Sequence, residues 1–556
     1  MNTSVEKFTR VLTRNWDMGL LALIIAGFVL AAAARLGAVP VPDTDEAMTL
    51  QVPYEMLYRG KLAFPMYRFV GGNIENVWHS FTPVFFLALG GFMKIFGWGL
   101  AQGRAFNLIA AIILLLLTYL IGRRLCGWQA GLIAVVLMIS DPVFFARSRL
   151  VRNDMLAAGF GLLAFYVYDK AREREKKSYY FASGLAAGAA VMCHTNMIYM
   201  LAVIFALMLI NRGWRAIKSS RPYIFGAGAF AVMAYEIVYD IIDYRNFISQ
   251  NRKDTIHFRI LEPLGWLGNI AEEPERYARW FEARGLKLAP GSTLVRIFLI
   301  LAVAAILYLA VRFAVQLKAK NLAGDPRVRV FVAAMVTMLF FAIVTQRKTL
   351  HYVIHISPWL ALSVGILATD AGRFLRRVGG QQWARPAYPL VIVMMSLVAI
   401  GYAYELVKQN QRYLRKAKNP DAADFEEIKT ALRAVVPEGV CPASIGSGYL
   451  WLAFPEYDQC YFAHMETRLD EMLDLDGKEY ALIIRPRFAS KMRRLTGGVE
   501  KYHLIGELDN TAYGTFFVYY TGSDARYLGM GPKRFQFNGQ RRGYTSDELL
   551  APVAGN

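Results

Sequence analysis

The chain has 556 residues, 55% of them hydrophobic, a mean hydropathy of +0.30, and 35 Phe, 30 Tyr and 10 Trp. That is too apolar for a water-soluble protein of this length and fits a polytopic membrane protein. The net charge of +20 does not imply nucleic acid as a partner. The basic residues fall in short clusters between apolar runs, the pattern of membrane topology and of contact with anionic membrane lipids.

Apolar runs suited to spanning lie at residues 16–36, 104–122, 128–146, 154–170, 178–194, 196–211, 222–243, 293–315, 328–345, 351–369 and 387–407, which predicts eleven transmembrane helices. No small-residue cleavage site follows the first run, so it reads as an uncleaved anchor. A shorter run, Phe81 to Phe96, carries Lys94 and is expected to lie along the membrane surface. Only then do the basic loops at Arg123-Arg124, Lys170 to Lys177, Arg212 to Arg221, Leu317 to Arg329 and Arg373 to Arg385 share one side with Lys7, Arg10 and Arg14. That side is the inner one. The first loop, residues 38–103, and a second long loop, residues 244–291, then face outward.

The first loop opens on Asp43-Thr44-Asp45-Glu46. Three carboxylates at a membrane surface repel one another and cannot enter lipid; they read either as a solvated acidic turn or as a cluster in use. The same loop holds Lys61, Arg68 and Trp78-His79. Three further outward segments are Arg147-Ser148-Arg149-Leu150-Val151-Arg152-Asn153-Asp154, His194-Thr195-Asn196 and Gln346-Arg347-Lys348-Thr349-Leu350-His351-Tyr352. The arginines of the second segment break the positive-inside pattern, which favours a specific anion over snorkelling, and guanidinium forks suit a phosphate. His194 reads equally well as a packing residue.

From about Leu406 onward polar residues rise and no long apolar run occurs. Residues 422–436 read as a helix and 480–485 and 515–520 as short buried strands, so residues 408–556 form a small α/β domain on the outer side. Cys126 and Cys193 sit at span ends as packing residues. Cys441 and Cys460 fall in the exported domain, where a disulfide is permitted. No CxxC, HExxH or P-loop motif is present.

In order, the chain carries Asp45-Glu46 after the first span, Trp78-His79-Ser80-Phe81-Thr82-Pro83 opening a surface helix that ends Ile95-Phe96-Gly97, and Gly103-Arg104-Ala105-Phe106-Asn107 opening the next span. Arg152-Asn153-Asp154, His194-Thr195-Asn196 and Lys348-Thr349-Leu350-His351-Tyr352 follow. This ordered set, over about residues 15–370, resembles the GT-C membrane glycosyltransferases, especially the lipid A aminoarabinose transferases and protein O-mannosyltransferases. The resemblance implies a polytopic α-helical GT-C domain over residues 1–407, with interfacial helices, followed by the extracytoplasmic α/β domain.

It further implies transfer of a sugar from a polyprenyl-phosphate donor to a lipid, polysaccharide or protein acceptor at the outer face of a bacterial inner membrane. Asp45, with Glu46 beside it, takes the place of the family's reaction-centre acid, and Asp154 that of its second acidic position. An acceptor hydroxyl loses its proton as it attacks the anomeric carbon, and a carboxylate within reach can accept it. Arg149, Arg152, Lys348, Arg347 and His79 are the candidates for stabilising the lipid phosphate that leaves, and Lys61, Trp78, His194, His351 and Tyr352 for holding substrate. The chain departs from the family at His79-Ser80, where the relatives carry Lys-Pro or His-Pro-Pro. Asp43-x-Asp45 also resembles a metal-binding pair, but with the phosphate matched to Arg and Lys no divalent metal is required. A transporter or flippase is the rival class; it predicts broken helices in paired halves and charges at mid-span, which the sequence lacks.

Overall fold

A computed structural model describes residues 16–34, 36–37, 40, 42–66, 73–79, 83–254, 264–281, 293–345, 348–378, 425–445, 448–457, 462–463, 479–485, 502–509, 511, 515–528 and 531–536. The membrane part comprises α1 (Trp16–Ala33), α2 (Thr44–Arg59), α3 (Pro83–Phe96), α4 (Leu100–Cys126), α5 (Trp128–Ser140), α6 (Pro142–Ser148), α7 (Asp154–Arg174), α8 (Lys177–Cys193), α9 (Tyr199–Arg212), α10 (Ser220–Ile242), α11 (Tyr244–Asp254), α12 (Gly265–Phe281), α13 (Thr293–Lys318), α14 (Pro326–Val344) and α15 (Val353–Val378). Among the described residues seven helices are long and apolar enough to cross a membrane, or eight if the bent pair α5–α6 counts as one span. Helices α7 and α8, which the sequence also marks as spans, pack among them. The eleventh expected span, residues 387–407, and the expected boundary at 407/408 lie outside the described residues. The chain is a multi-pass membrane protein.

Helix α3 has 14 residues, roughly 21 Å of helix, which is short of a ~30 Å hydrocarbon core. Arg104, at the start of α4, bonds both the Leu36 carbonyl after α1 and Glu46 at the start of α2. The segment from 36 to 104 therefore begins and ends at one membrane face, and α2 and α3 form a platform there. Asp43 caps α2, its Oδ1 accepting the Glu46 N–H at 2.9 Å, and Gly60 ends the helix at φ +68°, a left-handed conformation that suits glycine.

Helices α8 and α10 approach closely through small residues. A Cβ on Gly184 would collide with the Phe225 carbonyl, and one on Gly228 with the Phe181 carbonyl. The α5–α6 span bends by 74° at Asp141, which caps α6 through the Val143 N–H, with Pro142 at the first helical position. The Trp280 indole donates to both Asp141 oxygens at 3.2 Å. Helix α12 is thus sunk into the bundle at that bend.

The C-terminal part is an α/β unit with α16 (Phe425–Val435) and a six-stranded sheet of β1 (Cys441–Ile445), β2 (Phe462–Ala463), β3 (Tyr480–Ile484), β4 (His503–Asp509), β5 (Phe516–Tyr520) and β6 (Lys533–Gln536), in the order β2-β1-β3-β5-β4-β6. Strand β3, buried at every position, lies between parallel β1 and antiparallel β5. Cys441 is disulfide-bonded; Cys460, the other half of the expected bridge, lies outside the described residues. Cys126 and Cys193 are free and buried, as packing residues would be. The unit docks on α2: the Trp451 ring meets Tyr54 and Trp98 at 5.7 and 5.9 Å, and Arg59 donates to the Glu456 carbonyl at 3.0 Å. It lies on the same membrane face as the acidic turn.

Candidate active site

The N-terminal ends of α2 and α7, the loop from α6 to α7, the turn after α8 and the start of α15 converge at that face. Arg152 is the centre of the arrangement. Its Nη1 donates to Asp45 Oδ2 at 2.6 Å and its Nε to Asp154 Oδ2 at 2.9 Å. Burial opposes the guanidinium charge, but the Asp154 and Asp45 carboxylates outweigh it and hold the proton more tightly than usual. Asp154 is buried, and its second oxygen lies 3.3 Å from His355 Nε2 and 3.7 Å from His194 Nε2. Asp45 differs: its side chain is 43% exposed, and among the described residues only one of its side-chain oxygens is engaged. Asp43 lies beside it as the N-cap of α2. Crowding by protein, with Glu46 and Asp45 nearby, pushes its pKa up to about 6.

Arg147 belongs to the arginine cluster that the sequence marked for an anion, although it was not among the residues named for the lipid phosphate. It forms no ion pair among the described residues, and its Nε is buried without a hydrogen-bond partner there, although Asp43, Asp45 and Asp154 all act on it electrostatically. His351 Nδ1 is likewise buried without a partner among the described residues, within the electrostatic reach of Arg152 and Arg147.

The donor atoms of Asp154, His194 and His355 lie within 4.8 Å of one another, a spacing that a divalent ion could bridge. The tautomer opposes it. His194 Nδ1 accepts the Asn196 N–H at 3.2 Å, which places the ring proton of the neutral imidazole on Nε2, facing Asp154. A metal would need the Nε2 lone pair instead. The trio therefore fits a hydrogen-bonded cluster that orients Asp154 better than a ligand set.

Several expected site residues have other work. Glu46 is fully buried; Arg104 grips both its oxygens at 2.8 and 2.5 Å, and the Val151 N–H donates to it at 3.0 Å. It is a structural anion, buried and held by three hydrogen bonds. Arg149 is buried with Nη2 on the Ala34 carbonyl at 2.8 Å and its guanidinium over the Phe145 ring, tying down the end of the first span. Lys348 is buried, its ammonium on Glu273 at 2.9 Å and on the Thr345 carbonyl at 2.8 Å, while Glu273 is also held by Arg276. His79 sits between Asp240 and Asp243 at 2.9 and 2.8 Å and stacks on Tyr239. Lys348 and His79 have their nitrogens engaged by Glu273 and by Asp240 and Asp243, and Arg149 is turned toward the end of the first span. Trp78 is a packing residue against Phe64 and Phe86, and Lys61 binds Asn76 on the exposed surface of the platform. Tyr352 stacks on Phe341 beneath Arg276 and beside His194. Arg347 and Arg68 lie outside the described residues. His355 was missed, although the four-residue spacing from His351 in an otherwise apolar run was a signal.

Residues 80–239 match the family model described as dolichyl-phosphate-mannose-protein mannosyltransferase. The comparison with curated proteins gave no match. Among solved structures the chain is similar to ArnT from Cupriavidus metallidurans bound to undecaprenyl phosphate, with a TM-score of 0.58 and 12% identity over 93% of this chain and 99% of that one. It is also similar to the oligosaccharyltransferase of Archaeoglobus fulgidus tethered to an acceptor peptide, at TM-score 0.51 and 14% identity over 92% and 74% of the two chains. The same oligosaccharyltransferase, AglB, in complex with an inhibitory peptide and a dolichol-phosphate gives TM-score 0.51 and 13% identity over 92% and 75%. Such identities speak for the fold. The chain resembles the polyprenyl-phosphate-dependent membrane glycosyltransferases and has their GT-C fold.

Proposed function

We propose that this protein transfers a sugar from a polyprenyl-phosphate carrier to an acceptor at the outer face of a bacterial inner membrane. The observation that carries the reading is Asp45: a half-exposed carboxylate with one oxygen anchored by Arg152 and the other without a partner among the described residues, within electrostatic reach of Arg147, which forms no ion pair among them. In this reading the acceptor oxygen attacks the anomeric carbon as the carbon–oxygen bond to the carrier phosphate breaks. Asp45 accepts the acceptor's proton, and Arg147 and Arg152 stabilise the negative charge left on the phosphate. Asp154 holds Arg152 in place, itself held by His194 and His355. An acceptor that is already an anion would need no base, and Asp45 would then orient it.

The disulfide at Cys441 supports the sidedness. Such bonds persist in oxidising compartments, and the domain that carries it docks on the helix that bears Asp45. The basic loop ends lie on the other face. The family match and the ligands named for ArnT and AglB support the class of carrier. The test is incubation of purified protein with polyprenyl-phosphate sugars and candidate acceptors. Release of polyprenyl phosphate with glycosylation of one acceptor is expected; movement of intact donor across the bilayer without cleavage would establish a flippase instead.

A further inference from the structure

Roughly 22 Å along α7 from Asp154, at the opposite membrane face, a second charged cluster plays no part in the proposed reaction. Asp169 is its one buried carboxylate, with a side chain 5% exposed. Three guanidinium groups converge on it from the ends of three helices. Arg124 from α4 bonds its Oδ2 at 2.6 Å, Arg329 from the first turn of α14 lies 3.1 Å from its Oδ1, and Arg172 from α7 lies 3.7 Å from the same oxygen. Arg124 is also paired with Glu173, which is mostly exposed.

These contacts leave donors over. Arg329 is more than nine-tenths buried, and its Nε has no hydrogen-bond acceptor among the described residues; its Nη1 and Arg172 Nε face Asp169 Oδ1 at 3.1 and 3.7 Å, outside hydrogen-bond geometry. Nothing in a bundle stabilises buried guanidinium N–H groups without acceptors. The N-terminal end of α14 adds its positive dipole at the same place. Arg172 and Arg124 are the exposed members of the cluster, with side chains 30% and 26% exposed, at the end of the bundle opposite the acidic turn. Basic pockets between transmembrane helices on this face suit headgroup phosphates.

We propose that Arg124, Arg172 and Arg329 form a binding site for a phosphate group, supplied by an anionic phospholipid of that leaflet, which satisfies the spare donors and locks α4, α7 and α14 together. The site is separate from the glycosyl-transfer centre and does not depend on its chemistry.

The test uses the full chain in detergent, titrated with phosphatidylglycerol, phosphatidylcholine or inorganic phosphate, with thermal unfolding and native mass spectrometry as readouts. Phosphatidylglycerol should raise the midpoint and stay bound, while phosphatidylcholine should do neither. Arg172→Gln and Arg329→Gln should each weaken phosphatidylglycerol retention by about tenfold or more, the loss of one charge-assisted contact. Arg215→Gln, an exposed position on the same face, should keep wild-type retention. If Arg329→Gln does not fold, Arg172→Gln decides. An equal gain from inorganic phosphate, abolished by the same substitutions, supports the site with a free anion as its source. Equal retention in wild type and Arg172→Gln, or an equal loss in Arg215→Gln, overturns the proposal.

Discussion

Glu46 and Asp45 are adjacent acids with opposite work, and the difference can be measured. Both side chains of the Glu46–Arg104 pair are fully buried, and the pair closes the first loop onto α4 through two charge-assisted bonds. Removing one partner strands the other charge, so Glu46→Met or Arg104→Met should each cost about 3–5 kcal/mol of stability. The double variant replaces the pair with apolar side chains of similar length. It should recover most of that loss, short by about 1–3 kcal/mol for the Val151 N–H and Leu36 carbonyl left without partners. Unfolding midpoints of the four proteins in detergent give the coupling energy, and polyprenyl phosphate release from the double variant reports activity. A strong positive coupling with retained turnover is expected. Single variants within about 1 kcal/mol of wild type, or a stable double variant without turnover, would refute the structural role of Glu46.

Arg147→Ala should weaken donor binding by about 1.5–3 kcal/mol, roughly 10- to 100-fold in affinity, whereas Lys348→Met should lower the unfolding midpoint and leave donor affinity nearly unchanged; titration of each variant with a polyprenyl phosphate separates the two. Asp43 holds its proton up to about pH 6 in the folded state and only to 3.8 when unfolded. The group therefore destabilises the fold progressively as pH rises from about 4 to 6, with the full cost above 6. Asp43→Asn keeps the helix cap and should gain in thermal midpoint over wild type above pH 6, with the gain vanishing below pH 4. A Cys at Lys94 should react with a membrane-impermeant thiol reagent from outside, and a Cys at Glu175 only after permeabilisation; labelling of Lys94→Cys only after permeabilisation would mean that Asp45 faces inward.

Local pattern carried much of this architecture. The β-branched and aromatic runs at Tyr480 and Phe516 became the strands they resembled, and the short run of α3 set it apart from the helices long enough to cross a membrane. Asp45, Arg152 and Asp154 were recognisable because a charge at the end of an apolar run needs a reason. Their partners were not recognisable. Glu46 reads like Asp45 in the sequence, and only the arrival of Arg104, 58 residues later, buries one and leaves the other open. The same holds for Lys348, neutralised by Glu273, and for His79, clamped by residues at the far end of α10. Arg147 was one of three arginines marked together in the sequence, and only the contacts of Arg149 and Arg152 set it apart.

In the proposed reaction the carboxylate of Asp45 is the group at which transfer occurs. Its most direct test is a single-turnover assay of wild type and Asp45→Asn with saturating polyprenyl-phosphate sugar and acceptor, following release of polyprenyl phosphate. Asp45→Asn removes the charge and keeps the shape, so the variant should fold and bind donor like wild type, yet release carrier at least about 100-fold more slowly. Release by Asp45→Asn within a few-fold of wild type would contradict the account.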